Sequence, residues 1–414
     1  MQGRATPPAS METPVDPNAS FERYGWTPSL ETTFRPYRDA GLQPGRVTIV
    51  NRGSWAVRLA GADPVAGGPV AGGPDTGCLD VSDLDAADLD AALSGRFRHE
   101  ASAPDAFPAV GDWVALEVRP DGATIHAVLP RTSRFARKAP GKVPDDQVVA
   151  ANVDTVFLVN GLDRDFSPRR LERYLALARA SGADPVIVLT KADLCDDLPG
   201  RCAVAGALDP DVAVHAVSAL ARTGLEALEP YLPPGRTVAL LGSSGVGKST
   251  LINALLGYER QAVREVRSGD GRGRHTTMRR ELIELPGGAL VIDTPGLREV
   301  GLWEAEGGVD EVFAEVAELA RSCRFGDCRH EDEPGCAVAL ALRDGTLTSA
   351  RLGSYRKLLR ELAALEQRRS PGSRAEERRR GRSYRQRTKE IQAAGKGNLG
   401  PGWRPSRSVD HEED

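Results

Sequence analysis

The sequence Gly242-Ser243-Ser244-Gly245-Val246-Gly247-Lys248-Ser249-Thr250 matches G-x-x-x-x-G-K-[ST]. It comes after an apolar run, Thr237 to Leu241, and opens an amphipathic one, Leu251 to Leu256. A strand, a glycine-rich turn and a helix in that order make a phosphate-binding loop. The glycines let backbone N–H groups close on phosphate oxygens, and the helix N-terminus adds positive potential at the same place. Lys248 is expected to reach the β- and γ-oxygens, and Ser249 to ligate Mg²⁺. The competing reading is a glycine-rich structural turn, and the flanking strand and helix argue against it.

The loop alone does not distinguish ATP from GTP. Asp293-Thr-Pro-Gly296 comes after the apolar run Ala289 to Ile292. It reads as the strand-end Asp-x-x-Gly that holds Mg²⁺ through water and senses the γ-phosphate. Thr190-Lys191-Ala192-Asp193 comes after Pro185 to Leu189. A carboxylate at 193 can accept from guanine N1–H and the exocyclic amine, whereas adenine offers neither donor there. Ser218-Ala219-Leu220 comes after Val212 to Val217 and reads as a base-supporting loop. Each segment is a weak signal alone; together, at four strand ends, they specify a guanine nucleotide.

Their order is unusual. In an ordinary GTPase the phosphate loop comes first and the base-reading segments last. Here the base-reading segment stands at 190, the Ser-Ala loop at 218, the phosphate loop at 242 and Asp-x-x-Gly at 293. The same cycle is cut between switch II and the base-reading strand, so a circularly permuted G domain is expected over 135–301. The chain then leaves this domain just after the element that moves with the γ-phosphate.

Beyond that exit stands a second cluster. Cys323, Cys328, His330 and Cys336 form C-x4-C-x-H-x5-C. Four soft ligands within fourteen residues suit one tetrahedral, structural Zn²⁺ with no open position. Three of the six cysteines lie in it. Residues 1–20 carry no apolar core, so no secretory signal is expected. No apolar run approaches the roughly 18 residues of a membrane span. A reducing, cytoplasmic setting is therefore expected, in which such a cluster reads as metal-binding and not as disulfides. Cys78, Cys195 and Cys202 read as ordinary small residues.

The 414 residues suffice for two to three domains, and a 40% hydrophobic content suffices for real cores. Lys and Arg number 54 against 58 Asp and Glu, a net charge of −4 that hides an uneven spread. Between Arg368 and Lys389 stand ten Lys/Arg and two Glu, so 366–414 reads as a basic, largely flexible tail. Upstream, 44–134 holds short β-like runs: Arg46 to Asn51, Trp55 to Leu59, Asp112 to Val118 and Ala123 to Leu129. Gly, Pro and Asp turn signals separate them. An OB-type β-barrel is expected there, with an SH3-like barrel as the alternative. Residues 61–77, rich in Gly, Pro and Ala, read as a flexible insertion. Residues 1–43 read as a partly disordered N-terminal arm; 1–40 lack periodicity, and Trp26, Phe34 and Tyr37 are the side chains able to pin it to the body.

Barrel, TKAD, SAL, GSSGVGKST, GRHTT, DTPG and C-x4-C-x-H-x5-C, in that order, resemble the RsgA family of circularly permuted ribosome-biogenesis GTPases. The resemblance covers roughly 44–365. It implies a multidomain fold: an OB barrel, a permuted α/β P-loop GTPase domain and an α-helical zinc-binding domain over 302–365. It further implies binding to the small (30S) ribosomal subunit and its rRNA late in assembly; a monomer is expected. GTP hydrolysis to GDP would be stimulated by that subunit. One departure is Thr190, which stands where the general guanine motif has Asn.

Leu297 stands directly after Asp-x-x-Gly, where many GTPases place a water-orienting Gln. Competence must then come from elsewhere. Gly271-Arg-Gly-Arg-His275-Thr276-Thr277 lies where switch I belongs. Thr276 or Thr277 would ligate Mg²⁺, and His275, supported by the resemblance, is the candidate to orient water. A solvated loop histidine or an RNA contact is the alternative. Two other functions fit part of the pattern: a nucleotide-gated RNA-binding module with little hydrolysis, and a P-loop kinase. The base-reading Asp193 argues against the kinase.

Overall fold

The computed structural model describes residues 19–51, 53–59, 88–101, 103–120, 122–138, 146–260, 280–293, 306–326, 328–331 and 333–368. The switch residues His275, Thr276, Thr277, Gly296 and Leu297 lie outside the described residues, as do the 61–77 insertion and the basic tail from 369.

Two helices open the described chain, α1 (Ala19–Glu22) and α2 (Pro28–Asp39). Thr27 caps α2 by accepting from the Leu30 N–H at 3.3 Å, and Pro28 supplies a pre-set φ at its first position. Phe21, Trp26 and Phe34 are buried against Trp113, Ala115 and Leu129 of the barrel. Trp26 meets Trp113 edge-on, with ring centroids 4.7 Å apart. Trp26 and Phe34 thus hold residues 19–39 against the barrel.

The barrel comprises β1 (Gln43–Val50), β2 (Trp55–Leu59), β3 (Asp88–Leu93), β4 (Trp113–Arg119) and β5 (Gly122–Val128), with the short helix α3 (Gly95–Glu100) after β3. The strand order β1-β2-β3-β5-β4 closes through β4 onto β1, and β3 pairs parallel with β5. This five-stranded closure is the OB arrangement, and the SH3-like alternative falls away. Val47, Val57, Val114, Leu116 and Ile125 fill the interior. A hairpin, β6 (Arg134–Lys138) and β7 (Asp146–Ala151), leads out of it.

The central domain runs β8 (Thr155–Gly161), α4 (Pro168–Ser181), β9 (Asp184–Thr190), α5 (Leu198–Gly206), β10 (Val214–Ala216), β11 (Thr237–Leu241), α6 (Lys248–Leu256), β12 (Arg280–Glu284) and β13 (Leu290–Asp293). Strands β8 and β11 are buried throughout, as continuous apolar runs between two helical layers require. The sheet order is β10-β9-β8-β11-β13-β12, parallel except for β12. Strand β12 also pairs with β1 of the barrel, at Ile49 with Glu281 and Val50 with Arg280, so one sheet runs through both domains.

Four helices close the described residues: α7 (Glu306–Val312), α8 (Ala314–Arg321), α9 (Ala337–Asp344) and α10 (Ser349–Arg368). Helix α7 packs on α4. The approach is so close that a Cβ on Gly308 would fall 2.1 Å from the Ala176 carbonyl oxygen. Arg351 of α10 secures the contact, bonding Glu315 at 2.6 Å, the Val312 carbonyl at 2.5 Å and Glu172 of α4 at 3.4 Å. No described helix is long and apolar enough to cross a membrane.

Candidate nucleotide site and metal centre

The parallel strands put the C-terminal ends of β9, β8, β11 and β13 along one edge, where open α/β sheets bind ligands. Gly242 to Gly247 join β11 to α6 there. Gly245 and Gly247 have φ of 79° and 96°, the left-handed region that glycine enters without strain. Gly242 has no room for a side chain, since a Cβ would stand 2.5 Å from the Val159 carbonyl oxygen of β8. Lys248 is buried, and its Nζ donates to the carbonyls of Gly242 and Ser243, both at 2.6 Å. Ser249 and Thr250 stand on the first turn of α6, and Asp293 ends the neighbouring β13. Val246 is buried under the loop, while Ser244 is exposed at its tip.

The Thr190–Asp193 segment, the candidate base reader, sits at the end of β9, two strands from β11. Thr190 is buried, and its hydroxyl donates to the Val246 carbonyl at 2.5 Å, tying this segment to the phosphate loop. Here Thr fixes the site from behind. Lys191 adopts φ of 60° and turns the chain so that Asp193 stands exposed on a short 3-10 turn, Ala192 to Leu194. Ser218 is buried and its Oγ accepts from the Ala221 N–H at 3.1 Å, which shapes the Ser218-Ala219 loop. The Ala192 N–H donates to the Val217 carbonyl at 3.2 Å, so the loops after β9 and β10 support each other.

Three residues escaped the sequence reading. Asp163, Asp165 and Arg170 lie where β8 passes into α4. Asp163 accepts from Lys191 Nζ at 2.5 Å and from the Asp165 N–H at 3.1 Å. Burial works to raise the Asp163 pKa, but the Lys191 hydrogen bond and charge hold it below the usual carboxylate range. Asp165 accepts from Ser243 Oγ at 2.7 Å and from Arg170 Nη1 at 2.7 Å. The available signal was positional: Asp-x-Asp directly after a buried strand run, at a strand end like the other site segments.

In the C-terminal module the ligand atoms of Cys323, Cys328, His330 and Cys336 all lie within 4.8 Å of one another. Three sulfurs and one imidazole converging at that spacing fit a tetrahedral thiophilic ion. Burial and the neighbouring Arg356 lower the His330 pKa, which keeps the imidazole in its ligating, neutral form at neutral pH. Burial opposes ionisation of Cys323, but backbone N–H groups of Val338 and Ala337 at the start of α9 outweigh it and lower the thiol pKa. Outside the ligands, Glu333 accepts from the Arg329 and Glu331 N–H groups at 2.7 and 2.8 Å. Arg356 of α10 donates to the His330 carbonyl at 2.8 Å. These bonds hold His330 at its φ of 61°.

A family model described as RsgA GTPase matches residues 128–303. The small ribosomal subunit biogenesis GTPase RsgA of Opitutus terrae is 47% identical over 358 residues, 84% of this chain and 91% of that protein. The protein of the same name from Streptomyces coelicolor is 42% identical over 352 residues, 83% of this chain and 87% of that one. Among solved structures, YjeQ from Thermotoga maritima aligns over 78% of this chain and 99% of its own, at 26% identity and a TM-score of 0.54. YloQ, described as a circularly permuted GTPase, aligns over 78% and 96% at 23% identity and a TM-score of 0.52, a likeness of fold.

Proposed function

The chain belongs to the RsgA GTPase family, and from that premise we propose that it binds the small ribosomal subunit, assists its late maturation and hydrolyses GTP to GDP faster when so bound. The observation that supports the GTPase reading is that Ser218, Thr190, Gly242 and Asp293 stand at the ends of β10, β9, β11 and β13 of one sheet, with Thr190 bonded to Val246 across them. Gly242 to Gly247 would wrap the phosphates with backbone N–H groups, and Lys248 would neutralise the β- and γ-oxygens. Asp193 would accept from guanine, with Ser218 and Ala219 behind the base. Ser249, Asp293 and a threonine at 276 or 277 would hold Mg²⁺, which supplies charge neutralisation at the phosphates. His275 is the group proposed to orient the attacking water, since Leu297 cannot. Cys323, Cys328, His330 and Cys336 would hold one structural Zn²⁺. The protein is proposed to act as a cytoplasmic monomer. The basic tail would add phosphate contacts that carry affinity and no sequence reading.

Co-sedimentation with purified small subunits tests the partner. More protein should pellet with a non-hydrolysable GTP analogue than with GDP. Equal pelleting in both states would exclude nucleotide control of binding. No pelleting in either would exclude the subunit as partner.

A further inference from the structure

We propose that Arg170 is a positioning residue for GTP hydrolysis, holding the Ser243 peptide whose carbonyl aims the Lys248 ammonium; this rests on the GTPase reading above. Its Nη1 donates to Asp165 Oδ2 at 2.7 Å and to Ser243 Oγ at 2.9 Å. Ser243 Oγ in turn donates to Asp165 Oδ2 at 2.7 Å, which closes a triangle. The Ser243 carbonyl is one of the two oxygens, each 2.6 Å away, that receive Lys248 Nζ. The direction of the ammonium therefore depends on the tilt of the 243 peptide, and the triangle fixes that tilt from the side-chain end.

Charge gives Arg170 a second role. A carboxylate beside a loop built for a triphosphate repels its ligand. Asp165 nonetheless suits this place, because Arg170 neutralises it while leaving it free to orient Ser243. The two side chains are 30% and 37% exposed, so solvent screens the charge and geometry carries most of the effect. Arg170 sits in the first turn of α4. Glu172 and Arg173, just beyond it, bond Arg351 and Glu361 of α10. Helix α4 thus places the phosphate loop and the C-terminal module on one rigid element, without passing through the switch segments.

The test is a steady-state kinetic and nucleotide-binding comparison of the full chain with small subunits present. It uses wild type, Arg170→Met, Arg170→Lys, Asp165→Asn and the double variant Asp165→Asn/Arg170→Met. Arg170→Met should lower kcat by about tenfold or more, the scale of a misplaced catalytic group. It should also weaken GTP binding, because the Asp165 charge loses its neutralising cation. The double variant should regain the affinity and keep the low kcat, and Arg170→Lys should recover part of kcat. Arg170→Met turning over at the wild-type rate would overturn the proposal. So would a double variant in which affinity, kcat and melting temperature all fall together, since that marks a packing role. A wild type that hydrolyses no GTP would instead overturn the GTPase reading itself.

Discussion

Asp193 is the residue whose chemistry is easiest to invert. A carboxylate accepts two hydrogen bonds from guanine, and hydrogen bonds to a charged group contribute about 1.5–3 kcal/mol each. An amide at 193 offers a donor where guanine also donates. Asp193→Asn should weaken GTP binding by at least about tenfold and improve binding of xanthosine triphosphate, whose base presents the complementary acceptor. Fluorescence titration with both nucleotides checks this, and unchanged GTP affinity would exclude Asp193 as the base reader. The exposure of Asp193 and the hold of Lys191 on Asp163 suit base reading, since the reading group faces outward and its neighbour is braced. Asp193 and Lys248 were legible in the sequence because each lies in a contiguous spaced segment. Asp163, Asp165 and Arg170 were not, because their partners Lys191 and Ser243 lie 28 and more residues away and only the strand order brings them together.

Among the elements, two junctions carry the architecture. At the first, Arg46 of β1 is fully buried. It reaches Thr237 Oγ1 at 2.7 Å, the carbonyls of Gly111 and Asn152 at 3.3 Å each, and the Tyr24 carbonyl. It also lies over Trp113 at 5.3 Å. Burial pulls its pKa down to about 10, still charged at neutral pH. Arg46 therefore joins the arm, the barrel and the first residue of the phosphate-loop strand. Arg46→Met strands several buried acceptors at about 1–3 kcal/mol apiece, so it should destabilise the protein by about 3 kcal/mol or more. Denaturant unfolding measures this; a loss under about 1 kcal/mol would mean that water replaces the guanidinium. At the second junction α9 and α10 meet the cluster of Cys323, Cys328, His330 and Cys336. Purified protein should carry one zinc per chain, and Cys323→Ser should release it. Amide exchange should then rise in α9 while GTP affinity holds, because the nucleotide loops belong to other strands. A zinc-free wild type by elemental analysis would contradict this. Strands β1, β2, β4 and β5 were visible as short apolar runs. Strand β3, Asp-Leu-Asp-Ala-Ala-Leu, was not, since its acidic residues hide a strand that is held by its barrel neighbours. The arm was ambiguous because the apolar side of α2 is only Leu30, Phe34 and Tyr37, which pack in one cluster with Trp113 of the barrel.

At the scale of the molecule, permutation and docking act together. The order of segments along the sequence disclosed the cut in the G domain, and the strand order β10-β9-β8-β11-β13-β12 reassembles their neighbours. The docking of the C-terminal module on α4 was not legible. Its contacts, Gly308 on Ala176 and Arg351 with Glu172, join residues more than 130 positions apart. One sheet from barrel to G domain and one helix from phosphate loop to C-terminal module make a body on which a large RNA–protein surface can act at several points at once. With no glutamine after Asp-x-x-Gly, hydrolysis by the free protein should be slow, and it should become fast when a partner completes the site. The decisive measurement is GTP turnover by the purified protein with and without purified small ribosomal subunits, with large subunits and ATP as controls. Slow GTP hydrolysis alone, marked stimulation by small subunits only, and no comparable turnover of ATP are expected. A rate that small subunits leave unchanged, or hydrolysis of ATP as fast as of GTP, would contradict a subunit-stimulated GTPase.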